Sequence, residues 1–281
     1  MKFKKDLVAA LGISLLLFAC EVIASPMTSD QAKKILEISG FTETLAQMPE
    51  GIKAGIQEAS ASNKGVPQEF YDGVTRIMVD AFNPALLIGP IRNEVTSNLT
   101  KEDGEKLLKW FESEKGKRIT AAEAKMNSMD AITEMQQQAQ KLLANEKLVN
   151  YARRVDKAIQ GTEMMVELQE KTALSVFTAL VGGTAPDADK IISDFKAQIA
   201  AGRQQTYQAA QQFSILASAY AYQDVDDTLM IEYITFLEKP YTMKLYQSVV
   251  EGLNLAVDNS ISAMQSAIKS FVDEMQKEVA R

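Results

Sequence analysis

The chain contains no histidine, and its one cysteine, Cys20, falls within the first two dozen residues. Beyond that point imidazole acid–base catalysis and thiol nucleophiles are unavailable, and zinc loses its usual ligands. Disulfides are excluded too, so stability has to come from packing. Glycine and proline are sparse and fall at a few punctuating places. After the N-terminal segment, no apolar run approaches the length needed to cross a bilayer.

What is present begins with an apolar run from Leu7 to Ala19 behind Lys2, Lys4 and Lys5. A basic start, an apolar centre and a small-residue end read as an export signal, too short to be a spanning helix. Two exits from that signal fit the residues. Val22-Ile23-Ala24 suits a signal peptidase and releases a chain beginning at Ser25. Leu17-Phe18-Ala19-Cys20 resembles a lipobox, in which Cys20 is acylated and becomes the new N-terminus; Phe18 departs from that pattern. The expected location is periplasmic or secreted, or lipid-anchored to the outer membrane through Cys20.

From Ser25 onward there are 27 basic and 35 acidic residues, a net charge of −8. Such acidity disfavours nucleic acid and anionic membrane surface as partners. With 46% hydrophobic residues the core is ample and disorder is not expected.

Ala, Gln, Glu, Lys, Leu and Met dominate, an all-helical composition. Thr28, Ser29 and Asp30 offer N-caps for a helix ending at Gly40, and Phe41–Met48 continues to a stop at Pro49. A loop is expected over 59–67, a helix with Phe70, Val74 and Ala81 on one face after it, a break at Asn83-Pro84 and an interruption at Gly89-Pro90. Thr100 caps a strong helix through Leu107, Leu108 and Phe111, and a pattern follows through Ile119, Met126 and Met129 to Leu142. A long pattern spans 146–180, and 181–186 reads as a connector. Asp187 caps the next helix. The last one carries Leu253, Val257, Met264, Ile268 and Val279 on a stripe that must be buried.

Shifting the sequence by 126 positions sets Leu108, Trp110, Phe111, Arg118 and Ile119 against Ile234, Phe236, Leu237, Lys244 and Leu245. Glu112 falls on Glu238 and the cap Thr100 on Asp226. A shift of 120 sets Thr42, Glu43 and Leu45 against Thr162, Glu163 and Met165. The shared order favours a diverged duplication, with a signal at 1–24, a first half at 25–145 and a second at 146–281. Trp110 and Phe236 are then expected at equivalent sites, each anchoring its helix against its own half.

The stretch Trp110-Phe111-Glu112-Ser113-Glu114-Lys115-Gly116-Lys117, preceded by Leu99–Asp103, resembles the hallmark of the bacterial domain of unknown function 2059. The opening Ile35–Gly40 followed by Leu45 is similar to that family's N-terminus. Its aromatic pair and Ser-Pro-x-Gly turn are met by Ser113 and Gly116 in the first copy, where Glu114 replaces proline. In the second copy Pro240 matches, while Lys239 and Thr242 replace serine and glycine. The resemblance implies an exported helical envelope protein and no particular activity.

Ser193-x-x-Lys196 and Ser266-x-x-Lys269 match a nucleophile spacing but lack its companion motifs, and both read as ordinary helix surface. Asp224, Asp226 and Asp227 lack the ligand alternation of a calcium loop and read as helix caps. Methionines at helical spacing read as core, and Tyr220, Tyr222, Tyr233, Tyr241 and Tyr246 gather in the second half. The expected fold is an all-α bundle of roughly eight to ten helices in two related halves. The expected function is non-enzymatic binding or scaffolding of an envelope protein or apolar ligand, without cofactor, metal or catalytic residues, and with the oligomeric state open. The alternatives are a hydrolase using Glu112 and Glu238 as its carboxylates, or a lipid-binding envelope protein.

Overall fold

The computed structural model describes residues 25–62, 65–181 and 187–279; Cys20, Ala24 and the 182–186 connector lie outside the described residues. Among the described residues the chain is all-α, with twelve α-helices and no strand. In order these are α1 (Ser29–Ile38), α2 (Phe41–Ser62), α3 (Gln68–Ala81), α4 (Pro84–Asn98), α5 (Lys101–Phe111), α6 (Glu114–Ala124), α7 (Met129–Leu143), α8 (Glu146–Ile159), α9 (Gly161–Val181), α10 (Ala188–Tyr222), α11 (Asp227–Leu237) and α12 (Pro240–Val279).

Local chemistry explains most of the starts. Thr28 and Thr100 each close a capping box, with Gln31 and Asp103. Asn83 caps α4 with Pro84 in its first turn, and Ser113, Ser128, Asn145 and Asp226 accept from backbone N–H groups of α6, α7, α8 and α11. Asp187 holds the N-cap position of α10 without a side-chain bond. Ser25 joins the folded body, its carbonyl accepting from the Lys101 N–H at 2.8 Å while the Met27 N–H donates to the Leu99 carbonyl at 2.8 Å.

The helices exceed the expected number because several breaks were hidden in periodic sequence. Gln160 adopts φ +56° and ends α8, dividing the pattern expected to run unbroken over 146–180. Ser128 divides the pattern expected from Ile119 to Leu142. Two expected stops are absent: α2 runs through Pro49 as far as Ser62, and α4 runs through Pro90. The carbonyl that Pro90 leaves without an intrahelical donor belongs to Leu86, which is exposed and open to water. The opposite face of α4, with Leu87, Ile91 and Val95, is fully buried and keeps the helix in place.

Elements recur in the same order along the chain. The starts of α2 and α9 lie 120 positions apart, as do those of α3 and α10; the starts of α5 and α11, and of α6 and α12, lie 126 apart. Gly40 and Gln160, the two left-handed positions among the described residues, are also 120 apart, and each stands just before a long helix. Lys34 pairs with Glu112, and their counterparts Arg154 and Glu238 pair at 2.7 Å.

Packing crosses the expected boundary near Glu146, where α8 starts. The most extensive helix pair joins α4 to α12, while α10 packs on α6 and α7 as well as on α8 and α9. Gly252 permits the first of these approaches, since a Cβ there would overlap the backbone of Ile91. One apolar core runs from Met27 to Ile268, including the α12 stripe Leu253, Val257 and Met264. By length and composition alone the stretch Gln68–Asn98 is apolar enough to cross a bilayer, and it is divided into α3 and α4 at Asn83.

Candidate functional site

The helices around α6 leave a cavity of about 260 Å³. From α6 come Thr120 and Glu123, one turn apart on the same face; α10 supplies Tyr222, α11 Tyr233 and α12 Tyr246, and the α1–α2 junction closes one side with Gly40 and Phe41. Ser113 sets the entry of α6 by accepting from the Gly116 N–H at 3.0 Å. A side chain at Gly116 would overlap the Trp110 carbonyl oxygen, so the tight α5–α6 turn requires glycine there.

Glu123 lies at the centre of the chemistry. The hydroxyls of Tyr222 and Tyr233 both donate to its Oε1 at 2.6 Å, and neither bonds Oε2. No lysine or arginine lines the cavity, so the carboxyl has no cationic partner there. Burial pushes the Glu123 carboxyl above its ordinary range, against the opposing pull of the two phenols. The Tyr222 and Tyr233 hydroxyls are pushed well up, first by burial and then by the carboxylate beside them. Tyr246 is shifted upward for the same two reasons. The Thr120 hydroxyl is buried with no hydrogen-bond partner.

At 126 positions from Glu123 and Tyr233 stand Val249 and Leu107, apolar residues with 5% and 0% of their surface exposed. The counterpart of Tyr246 is Thr120, across the same cavity.

The residues singled out from sequence distribute as follows. Tyr222, Tyr233 and Tyr246 do come together, whereas Tyr220 bonds Glu134 and Tyr241 lies beside Lys106. Glu112 and Glu238 each occupy an exposed ion pair, with Lys34 and Arg154. Asp224, Asp226 and Asp227 each take a separate cation, Lys125, Arg118 and Lys147. Ser193 and Ser266 are exposed on α10 and α12, and the Ser266 hydroxyl donates to the Ser262 carbonyl. Met135 and Met264 fill core, and Met126 borders the cavity. Sequence reasoning missed Glu123, which sits in an unremarkable charged helix; its only signal was the gathering of tyrosines elsewhere in the chain.

Trp110 and Phe236 correct one expectation. Each was to anchor its helix within its own half; instead the two rings stack on one another, 4.5 Å between centroids and 10° between planes. Phe111 and Leu237 are buried, but so is Phe236, which the 100° step of the helix was expected to leave toward the boundary.

No family model, no curated protein and no solved structure matches the chain.

Proposed function

We propose that the chain is an exported bacterial envelope protein that binds a small amine-bearing molecule at Glu123, on a scaffold of two diverged copies of one helical unit. The observation that carries the reading is the half-buried carboxyl of Glu123, which lines a cavity without a cation of its own. An ammonium head would supply the missing charge, and the surrounding phenol and phenyl faces of Tyr222, Tyr233 and Phe41 suit the apolar body behind it. An anionic ligand would meet repulsion instead. Because Val249 and Leu107 serve as filling at the counterpart positions, packing alone does not call for the Glu–Tyr cluster.

Export is supported by the apolar Leu7–Ala19 run behind Lys2, Lys4 and Lys5. Mass spectrometry of the native protein should find a chain starting at Ser25; a diacylglyceryl group on Cys20 would replace the soluble form by an anchored one. Duplication is supported by the common spacing of helix starts, by Gly40 and Gln160, and by the repeated Lys34–Glu112 and Arg154–Glu238 pairs. The two-carboxylate hydrolase is the weaker reading, since Glu123 is the one acid lining this cavity and Glu112 and Glu238 are each engaged elsewhere.

Calorimetric titration of the chain from Ser25 with butylamine, butanol and butyrate tests the reading. Butylamine should bind, butyrate should not, and Glu123→Gln should weaken the amine by roughly tenfold or more, the loss of one charge-assisted contact. Equal binding of butyrate, or unchanged amine binding in Glu123→Gln, would overturn it.

A further inference from the structure

A second concavity, of about 490 Å³, lies where α5 and the start of α6 meet α11 and the start of α12. Its floor is aromatic, made by Trp110, Phe236 and Tyr241, and Ile231 stands at its edge with 52% of its surface exposed. Four lysines line it, Lys106, Lys109, Lys115 and Lys239, against one acid, Glu232. In a chain whose net charge is −7, this is a local reversal of sign.

Two of these lysines are partly neutralised: Lys115 pairs with Glu232 at 2.5 Å and Lys106 with Glu102 at 2.8 Å. Lys109 and Lys239 make no ion pair among the described residues. The Trp110 indole Nε1–H is buried without an acceptor. The site is therefore rich in donors and positive charge above an apolar floor.

We propose that this groove binds the monomer of an anionic amphiphile, an acyl or aryl body carrying a phosphate or carboxylate. The body would cover the aromatic floor and Ile231, and the head would pair with Lys109 and Lys239. A single amphiphile fits better than a whole membrane surface, because the remainder of the chain is acidic and would be repelled by anionic lipid. The site is separate from the Glu123 cavity, which lacks lysine, and does not depend on its occupant.

The chain holds one tryptophan, so its fluorescence reports this groove alone. The protein is titrated with decyl phosphate below its micelle concentration, and in parallel with decanol and decyltrimethylammonium. Decyl phosphate should produce a saturable change in Trp110 emission that weakens as salt is raised. The double variant Lys109→Gln/Lys239→Gln, confirmed as folded by circular dichroism, should weaken it by roughly tenfold or more. Saturation by decyltrimethylammonium or decanol at the same concentration would overturn the proposal. So would unchanged affinity in the double variant, or binding to phosphatidylglycerol vesicles with none to the monomer.

Discussion

Trp110 and Phe236 stand 126 positions apart and stack face to face, and the contacts around them exchange roles. Lys106 lies 5.6 Å from the ring of Tyr241, while Lys115 pairs with Glu232; each member of one pair is the counterpart of a member of the other. That reciprocity is what the proposed duplication predicts for contacts across a two-fold axis. Phe236→Ala should cost about 3–5 kcal/mol and the half-exposed Trp110→Ala less. In urea unfolding, the double variant should reveal a coupling of about 0.5–1.5 kcal/mol, and strict additivity would deny the stack any energy of its own.

Glycine substitutions should separate sharply by position. Gly252→Ala forces a methyl into the Ile91 backbone, and Gly116→Ala into the Trp110 carbonyl; each should lose several kcal/mol, of order 1–3 or more. Gly202→Ala, within α10 and facing open space, should instead gain about 0.5–1 kcal/mol. Chemical denaturation midpoints of the three variants decide this.

Gln160 holds a left-handed conformation that a side chain makes costly, where its counterpart is Gly40. Gln160→Gly should therefore raise stability, by up to about 1 kcal/mol, despite the greater freedom of the unfolded chain. A lowered melting temperature would mean that the Gln160 side chain contributes more than its backbone costs.

The acid limb of stability should reflect Glu123. Its folded-state carboxyl is raised above the ordinary 4.5, so its stabilising contribution is complete below that value and declines as pH rises through the higher folded one. Glu123→Gln should flatten this decline, leaving the variant relatively more stable at neutral pH than at about pH 4. Melting temperatures of both proteins across that range give the sign; the reverse trend would show that the tyrosine hydrogen bonds outweigh burial.

Tyr222→Phe or Tyr233→Phe removes one of two donors to the same Glu123 oxygen. Each should cost about 1–3 kcal/mol at neutral pH, and the pair should be non-additive because they share an acceptor. Tyr241→Phe, whose ring lies beside Lys106 away from that cluster, should change stability by less.

Much of the helical layout was legible because caps are local. Thr100 and Asp226 each announce a helix by side chain alone, and the three-and-four spacing through Leu107 and Phe111 names its buried face. The prolines misled, since whether Pro90 ends a helix depends on what packs against Leu87 and Ile91, information carried by α12 far along the chain. Gln160 gave no warning because the turn is closed around it by its neighbours, the Thr162 N–H and hydroxyl donating to Asp156 at 2.9 and 2.8 Å. Glu123 was invisible because its two donors are about a hundred residues away on α10 and α11. Trp110 and Phe236 were matched at a spacing of 126, but sequence cannot tell aligned positions from touching ones.

The embrace of α4 by α12 bears on how the chain comes to be folded at all. Leu87, Ile91 and Val95 leave the ribosome early, while Leu253 and Val257 are made only near the end of synthesis. Throughout that interval α4 can pack on α1 and α2 but lacks its most extensive partner, α12, and loop closure over such a distance is slow. The final packing of α4 therefore waits until the chain is almost complete.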